Sequence, residues 1–115
     1  MTLKRPRRCK TVVYTVFMCQ QALEKLLKAI HIQQKEEEAP RTHTLTYLFE
    51  LLDLPANLEY LKTLSSLTIY YIEGWYPSYK QKLSQTLDQK TAQSFLNKTQ
   101  EIFQWLKSQL PSTNP

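Results

Sequence analysis

The sequence of 115 residues contains a single glycine, Gly74, and this scarcity excludes several classes of protein. Glycine-rich phosphate loops and dinucleotide-binding fingerprints need several glycines at fixed spacing, so the sequence contains neither motif. Tight β-hairpins also depend on glycine for positive backbone φ angles, which argues against an all-β fold. The composition therefore points away from glycine-loop nucleotide sites and towards helices.

Cysteine is also scarce, since Cys9 and Cys19 are the two in the chain. Two cysteines cannot build a disulfide framework, and their separation does not match a zinc site. No stretch of about 18 apolar residues is present, so we expect no membrane-spanning helix. The basic start is not followed by a leader-type apolar segment, and we expect a cytoplasmic protein with reduced thiols.

Acidic residues are missing before Glu24, whereas five of the 15 basic residues lie between Lys4 and Lys10. The net charge of +5 is therefore concentrated near the start of the chain. We divide the sequence into a basic arm (1–10), a folded body (11–110) and a frayed tail (111–115). The arm either contacts nucleic-acid phosphates or is a solvated tail, and the neutral body favours the tail.

Apolar residues recur every three or four positions in four segments separated by prolines, and this period predicts amphipathic helices. The predicted helices cover about 11–34, 45–52, 56–71 and 88–110. The predicted inward-facing residues are Val12, Val16, Cys19, Leu23, Leu26, Leu27, Ile30, Leu45, Leu48, Phe49, Leu52, Leu58, Leu61, Leu64, Leu67, Ala92, Phe95, Leu96, Thr99, Phe103, Leu106 and Leu110. Such helices bury their apolar faces against one another, which predicts an all-α, antiparallel, up-and-down bundle of about four helices.

The expected helix starts carry residues that favour capping. Asp88 precedes the last helix and suits its positive N-terminus, and Thr42 or Thr44 is placed to cap the second helix.

Three motifs together carry a family resemblance. They are the segments 20–29 (QQALEKLLKA), 40–45 (PRTHTL) and 71–77 (YIEGWYP). In this order and spacing they resemble the HEPN domain family, small helical bundles of bacteria and archaea. The resemblance covers about residues 12–110.

The resemblance implies a helical bundle that is often a homodimer and is frequently encoded beside a minimal nucleotidyltransferase, which it binds. Some members are metal-independent ribonuclease toxins with an Arg-x(4–6)-His motif. Others are non-catalytic partners that bind nucleotides or the transferase.

The chain departs from the family pattern in three places. Only ten residues, interrupted by Pro6, precede Thr11, so we expect the first helix of the family to be shortened or missing and the gap to be covered by a partner chain. Trp75 stands where an arginine is usual before Tyr-Pro, and Thr44 stands where an acid often follows the histidine.

The ribonuclease motif can be tested by counting. Arg41 would need a histidine at positions 46–48, where the sequence is TYL, and no N-terminal arginine has a histidine within reach. Metal-independent RNA cleavage needs a general acid or base and a cation for the developing phosphorane charge. Arg41 and His43 would point about 200° apart on a helix but could converge in a loop. We therefore predict that the protein is not an enzyme, with a ribonuclease using a non-standard site at Arg41 and His43 as the alternative.

The candidate residues for nucleotide or partner binding lie in the three motifs. His43 either hydrogen-bonds its own turn or contacts a phosphate beside Arg41. The aromatic residues of the third motif favour a protein interface first, core packing second and base stacking third. Glu24 and Lys28 are spaced for a helical ion pair, which would need further partners if it faced inward. The full candidate set is Lys28, Arg41, His43, Tyr71, Trp75, Tyr76 and Tyr79.

These observations predict a non-catalytic HEPN-like interaction or nucleotide-binding module. We expect a homodimer that is the partner of a small nucleotidyltransferase in a toxin–antitoxin-type pair, with a nucleotide or RNA as ligand. A small nucleic-acid-binding protein that uses its basic arm is a further alternative. We expect no metal, no cofactor and no membrane association.

Overall fold

A computed structural model describes residues 4–74, 76 and 87–110, with side chains described from Val12 onward. The helices in these ranges are α1 (Lys4–Lys35), α2 (Leu45–Glu50), α3 (Leu58–Glu73) and α4 (Gln89–Gln109). The same ranges contain no β-strand. The predicted all-α bundle is confirmed, while the division into arm, body and tail stays a prediction.

Helix α1 is longer than the sequence predicted. It begins at Lys4, seven residues before the expected start at Thr11, and its 32 residues span about 48 Å. Pro6 lies in the first turn, where the missing amide hydrogen costs no helical hydrogen bond. The predicted interruption of the helix at Pro6 was therefore wrong, whereas the predicted loss of the family's first helix and its replacement by a partner chain stay predictions.

Helices α1 and α3 run in opposite directions. Near the end of α1, Oε1 of Gln34 accepts a hydrogen bond from the amide of Asp53, which lies just before α3. Earlier in α1, just before its midpoint, the ring of Phe17 packs on Tyr71 at the end of α3, with centroids 5.4 Å apart. The later residue of α1 contacts the chain before α3, and the earlier residue contacts the end of α3, so the two helices are antiparallel.

Helix α4 is antiparallel to α3. The ring of Tyr70, late in α3, packs on Phe95, early in α4, whereas Tyr60, early in α3, packs on Trp105, late in α4. Asp88 caps α4 as predicted, because its carboxylate accepts the amide hydrogen of Thr91 at 2.7 Å.

Most of the predicted inward-facing residues are buried, but α3 gives one clear exception. Leu58 is 76% exposed, whereas Leu64 and Leu67 are fully buried. A spacing of three residues drifts by about 60° per step around a helix, so Leu58 and Leu67 point in opposite directions. On α4, Ile102 is fully buried although it was not among the predicted core residues.

Gly74, which follows α3, packs against Phe17 of α1. A Cβ atom at this position would overlap the ring of Phe17 and would lie 3.2 Å from the carbonyl oxygen of Tyr70. The φ angle of Gly74 is −66°, which any residue adopts, so the position needs glycine for space and not for backbone freedom.

The start of α2 is fixed by α3. Thr44 occupies the predicted N-cap position but forms no capping hydrogen bond through its side chain. Instead the amide of Leu45 donates to Oγ1 of Thr68 on α3, and the amide of Thr44 donates to Oγ1 of Thr42, both at 3.1 Å. The loop that carries Arg41 and His43 is thereby held against the bundle.

Candidate functional site

A buried carboxylate on α1, Glu24, lies at the centre of the candidate site. Its side chain is 8% exposed, and both of its oxygens are used. Oε1 accepts from Nε2 of Gln20 at 2.9 Å and from Nδ1 of His43 at 2.8 Å, and Oε2 accepts from Nζ of Lys28 at 3.0 Å. A buried charge is stable only with such partners. We call Gln20, Glu24, Lys28 and His43 the Glu24 cluster.

Helical spacing brings three members of the cluster onto one face of α1. Gln20, Glu24 and Lys28 are four residues apart, which aligns them along the helix. Gln20 also reaches the neighbouring loop, because its Nε2 donates to the backbone oxygen of His43 at 2.9 Å. The side-chain amide of Gln20 therefore donates both to the backbone oxygen of His43 and to the Glu24 carboxylate, which in turn binds the His43 ring.

The cluster keeps Glu24 ionised at neutral pH. Burial alone would raise the pKa of Glu24, but hydrogen bonds from Gln20, His43 and Lys28, together with the charge of His43, outweigh it and hold the pKa below its ordinary value. A carboxylate whose two oxygens are both hydrogen-bonded serves as a fixed anion that positions its donors.

His43 is the exposed member of the cluster. Its side chain is 53% exposed, and its ring packs on Tyr71 with centroids 5.0 Å apart. An ionised carboxylate can only accept, so Nδ1 of His43 is the donor in its contact with Glu24. Tyr71 is buried, and its ring meets the imidazole at an angle of 55°. The predicted contact between Tyr71 and a ligand stays a prediction.

Arg41 lies two residues before His43 in the same loop and is exposed. Because neither residue is helical, the divergence of about 200° expected on a helix does not apply to them. Lys28 is 29% exposed. The structure thus joins Lys28, His43 and Tyr71 in one contact network, with Arg41 beside it in the loop.

The other aromatic candidates lie after α3. Tyr76 is 57% exposed. Trp75 and Tyr79 lie outside the described residues, and their predicted roles stay predictions.

The sequence-based candidate set lacked two residues of the cluster: Glu24, which was considered only as an ion-pair partner of Lys28, and Gln20. Gln20 gave the clearer missed signal. It is fully buried between Cys19 and Leu23, both of which are also buried. A polar side chain within an apolar stripe, four residues before Glu24, was the available signal, since buried polar groups need hydrogen-bond partners.

Three further findings concern residues outside the Glu24 cluster. His31 on α1 is buried, and its Nδ1 has no hydrogen-bond partner in the described part of the chain. Over the described residues, no group of three His, Cys, Asp or Glu side chains is placed to hold a metal ion. None of the described helices combines the length and the apolar character needed to cross a bilayer.

A family model for the HEPN domain matches residues 4–109. The chain belongs to the HEPN domain family. The match runs from the first residue of α1 to the last residue of α4, so this HEPN domain includes the whole Glu24 cluster. Membership in the family indicates a nucleotide- or RNA-related function. No curated protein and no solved structure matches the chain significantly.

Proposed function

We propose that this HEPN domain is a non-catalytic module that binds the phosphates of a nucleotide at the Glu24 cluster and that its partner is a minimal nucleotidyltransferase, in a toxin–antitoxin-type pair. One observation carries the proposal: Glu24 uses both carboxylate oxygens to hold His43 and Lys28 at the surface. Lysine retains further N–H donors after one contact, and phosphate oxygens accept from donors of this kind.

The arrangement of charge also favours an anionic ligand. The negative charge of Glu24 is buried, whereas the positive charges of Lys28 and Arg41 are partly or fully exposed. A ligand that approaches the cluster therefore meets mainly hydrogen-bond donors and positive charge. Arg41 can bind a phosphate through two parallel N–H groups.

The absence of an Arg-x(4–6)-His motif from the sequence supports a binding role without RNA cleavage. The second half of the proposal, the nucleotidyltransferase partner, rests on the family and on exposed apolar residues near the end of α3. Ile69 and Ile72 are 52% and 43% exposed, and Tyr76 follows them along the chain. Exposed apolar and aromatic side chains of this kind are typical of protein interfaces.

A titration with a fluorescent ATP analogue tests the nucleotide site. We expect the wild-type protein to bind and the Arg41→Ala and Lys28→Ala variants to bind about tenfold or more weakly, because each loses a charge-assisted hydrogen bond to phosphate.

Lys25→Ala is the matched control, since Lys25 is exposed on the same helix one turn from Lys28 and outside the cluster. Its affinity for the analogue should equal that of the wild type. The nucleotide proposal fails if the wild type does not bind, or if Lys25→Ala and Lys28→Ala weaken binding equally.

Partner binding is tested by co-expression with a nucleotidyltransferase encoded beside this chain, followed by size-exclusion chromatography with light scattering. We expect a complex and, without the transferase, a homodimer. Ile72→Asp should weaken the complex, whereas Asn97→Asp, on an exposed part of α4, should not. If the protein is a monomer in light scattering and forms no complex with the transferase, this half of the proposal is contradicted.

A second candidate function is a ribonuclease with a non-standard site, because Glu24 orients His43 in the manner of a general acid–base pair. The two atoms Oε1 and Nδ1 are 2.8 Å apart, and a ribonuclease of this kind would use the other ring nitrogen of His43, Nε2, for proton transfer. Incubation of RNA with wild type and His43→Ala distinguishes the candidates. Degradation that disappears in the variant favours the ribonuclease, and equal lack of activity in both rejects it.

A further inference from the structure

The positive charge of this protein is concentrated in one helix. Helix α1 contains eight lysines and arginines and a single acidic residue, Glu24, which is buried and hydrogen-bonded. The remainder of the chain contains seven basic and nine acidic residues. The net charge of +5 therefore originates in α1, and basic residues clustered along one helix are typical of a surface that binds a polyanion.

Helical geometry aligns four of these basic positions in two rows. An α-helix completes about five turns in 18 residues, so two positions that far apart lie on the same line along the helix. Arg7 is thus in line with Lys25, and Lys10 is in line with Lys28, with about 27 Å between the members of each row. The two rows are neighbours, because Lys25 and Lys28 are three residues apart. We call these four positions the basic face of α1.

An aromatic residue lies on the basic face between its two ends. Tyr14 is seven residues after Arg7 and eleven before Lys25, and both separations place it within about 20° of the row that these two positions define. The Tyr14 side chain is 65% exposed, and Lys25 is exposed as well. Bases of a nucleic-acid strand stack on aromatic rings, while neighbouring lysines and arginines contact the phosphates.

The Glu24 cluster lies at one end of the basic face, because Lys28 belongs to both. Beyond the end of α1, three exposed glutamates at 36–38 would repel phosphates. A strand with one phosphate bound at the cluster is therefore favoured to extend towards the start of α1, over Lys25 and Tyr14. A single nucleotide at the cluster would not reach that far.

A single strand suits the basic face better than a membrane or a duplex does. A helix that binds a bilayer surface inserts an apolar face, but the apolar face of α1 is already buried in the core through Val16, Leu23 and Leu27. In a duplex the bases stack on one another, whereas single-stranded bases are free to stack on an aromatic side chain.

We propose that the basic face of α1 binds a single-stranded nucleic acid, with its phosphates at Arg7, Lys10, Lys25 and Lys28 and a base stacked on Tyr14. The inference rests on the proposed function only for the end of the strand at the Glu24 cluster, since Lys28 is common to both sites.

Fluorescence anisotropy of a labelled oligothymidylate of about 12 nucleotides measures strand binding. A DNA probe is chosen because it lacks the 2′-hydroxyl that metal-independent RNA cleavage requires. The wild type should bind the probe with strong salt dependence. The logarithm of the association constant should fall against the logarithm of the salt concentration with a slope of about −0.7 per phosphate contact, or about −2.8 for four contacts.

Lys25→Ala should weaken strand binding about three- to tenfold and make the salt slope less steep by about 0.7, because one phosphate contact is lost. The affinity of this variant for the ATP analogue should equal that of the wild type. Lys107→Ala is the matched control, since it removes the same charge from an exposed position on α4, and its strand affinity should be unchanged.

Tyr14→Ala should weaken strand binding about fivefold or more, because base stacking is lost. Tyr14→Phe keeps the ring and should retain the wild-type affinity within about twofold. Circular dichroism confirms that each variant is folded.

Three results would overturn the inference. They are a wild type that does not bind the strand, equal effects of Lys25→Ala and Lys107→Ala on strand binding, and tighter binding to a DNA duplex of the same length or to phosphatidylglycerol vesicles than to the strand. Strand binding with the expected variant effects, but without binding of the ATP analogue, would support the basic face and reject the nucleotide site. The two proposals can therefore fail separately.

Discussion

Glu24 is an acidic residue on a buried part of α1, where an isolated carboxylate would be strongly destabilising. Hydrogen bonds from Gln20, Lys28 and His43 stabilise the ionised form at distances between 2.8 and 3.0 Å. Two donors come from the same helix and one from a loop 19 residues away. The ionised carboxylate of Glu24 therefore binds the His43 loop to α1. Loss of its charge should lower the free energy of unfolding.

The lowered pKa of Glu24 gives a pH dependence with a definite sign. Because the pKa of Glu24 is lower in the folded protein, the unfolded chain binds the proton more tightly. The stabilisation of the fold by ionised Glu24 is therefore fully present above the unfolded pKa, taken as 4.5. It is lost as the pH falls through the lower pKa of the folded protein. We expect Glu24→Gln to reduce the free energy of unfolding by about 1–3 kcal/mol at pH 7, because donors lose their charged acceptor. Urea unfolding at pH 7, 5 and 3.5 should show this difference shrinking with acidity.

Glu50→Gln supplies the control for that series, since Glu50 is exposed on α2. Its unfolding curve should follow that of the wild type at each pH. A loss of stability equal to that of Glu24→Gln, or a Glu24→Gln effect that grows on acidification, would contradict the assignment.

Helix α2 has six residues, too few for a helix that is stable by itself in water. Its stability comes from buried Leu45, Leu48 and Phe49 and from the hydroxyl of Thr68, which accepts from the amide of Leu45. The same hydroxyl donates to the carbonyl of Leu64 within α3 at 2.9 Å. One side chain of α3 thus determines where α2 begins.

Thr68→Val tests this dependence, because it removes the hydroxyl and nearly preserves the shape. The buried amide of Leu45 then lacks its acceptor, and we expect a loss of about 1–3 kcal/mol in the free energy of unfolding. Hydrogen exchange at Leu45 should accelerate more than exchange in the middle of α4.

The matched variant is Thr63→Val, on the same helix. The Thr63 hydroxyl donates only to the carbonyl of Glu59 within α3, at 3.4 Å. Exchange at Leu45 should be unchanged in this variant. If Thr68→Val and Thr63→Val accelerate hydrogen exchange at Leu45 equally, the start of α2 does not depend on the Thr68 hydroxyl.

At the scale of the whole molecule, Trp105 joins three helices. From α4 its ring stacks on Phe49 of α2, with centroids 6.2 Å apart, and meets Tyr60 of α3 edge-on at 5.4 Å. The hydroxyl of Tyr60 donates to Glu101 of α4 at 2.9 Å. A change in the packing of any of these helices should therefore alter the surroundings of the Trp105 indole.

This junction predicts cooperative unfolding of the bundle. In a Trp75→Phe background, where Trp105 is the remaining tryptophan, urea unfolding followed by its fluorescence should coincide with unfolding followed by circular dichroism at 222 nm. Two separated transitions would show instead that the α2–α3–α4 junction and the helices as a whole unfold in different steps. Trp105→Phe should remove the fluorescence signal and leave the dichroism transition cooperative.

The sequence by itself determined where the helices lie, because helical periodicity and capping are local. Helix α4 was predicted at about 88–110 and is found at Gln89–Gln109, with Asp88 as its cap. Two local predictions were wrong. Helix α1 begins at Lys4 and not at Thr11, because Pro6 is tolerated in a first turn, and the three-residue spacing did not keep Leu58 buried.

The tertiary structure alone decided which side chains meet. Glu24 reaches His43 across 19 residues of sequence, and Thr68 reaches Leu45 across 23. These contacts depend on the rotation and offset of packed helices, which no local pattern encodes. The sequence could place Glu24 and Lys28 on one face of a helix, but only packing against the loop showed that this face is buried and holds His43.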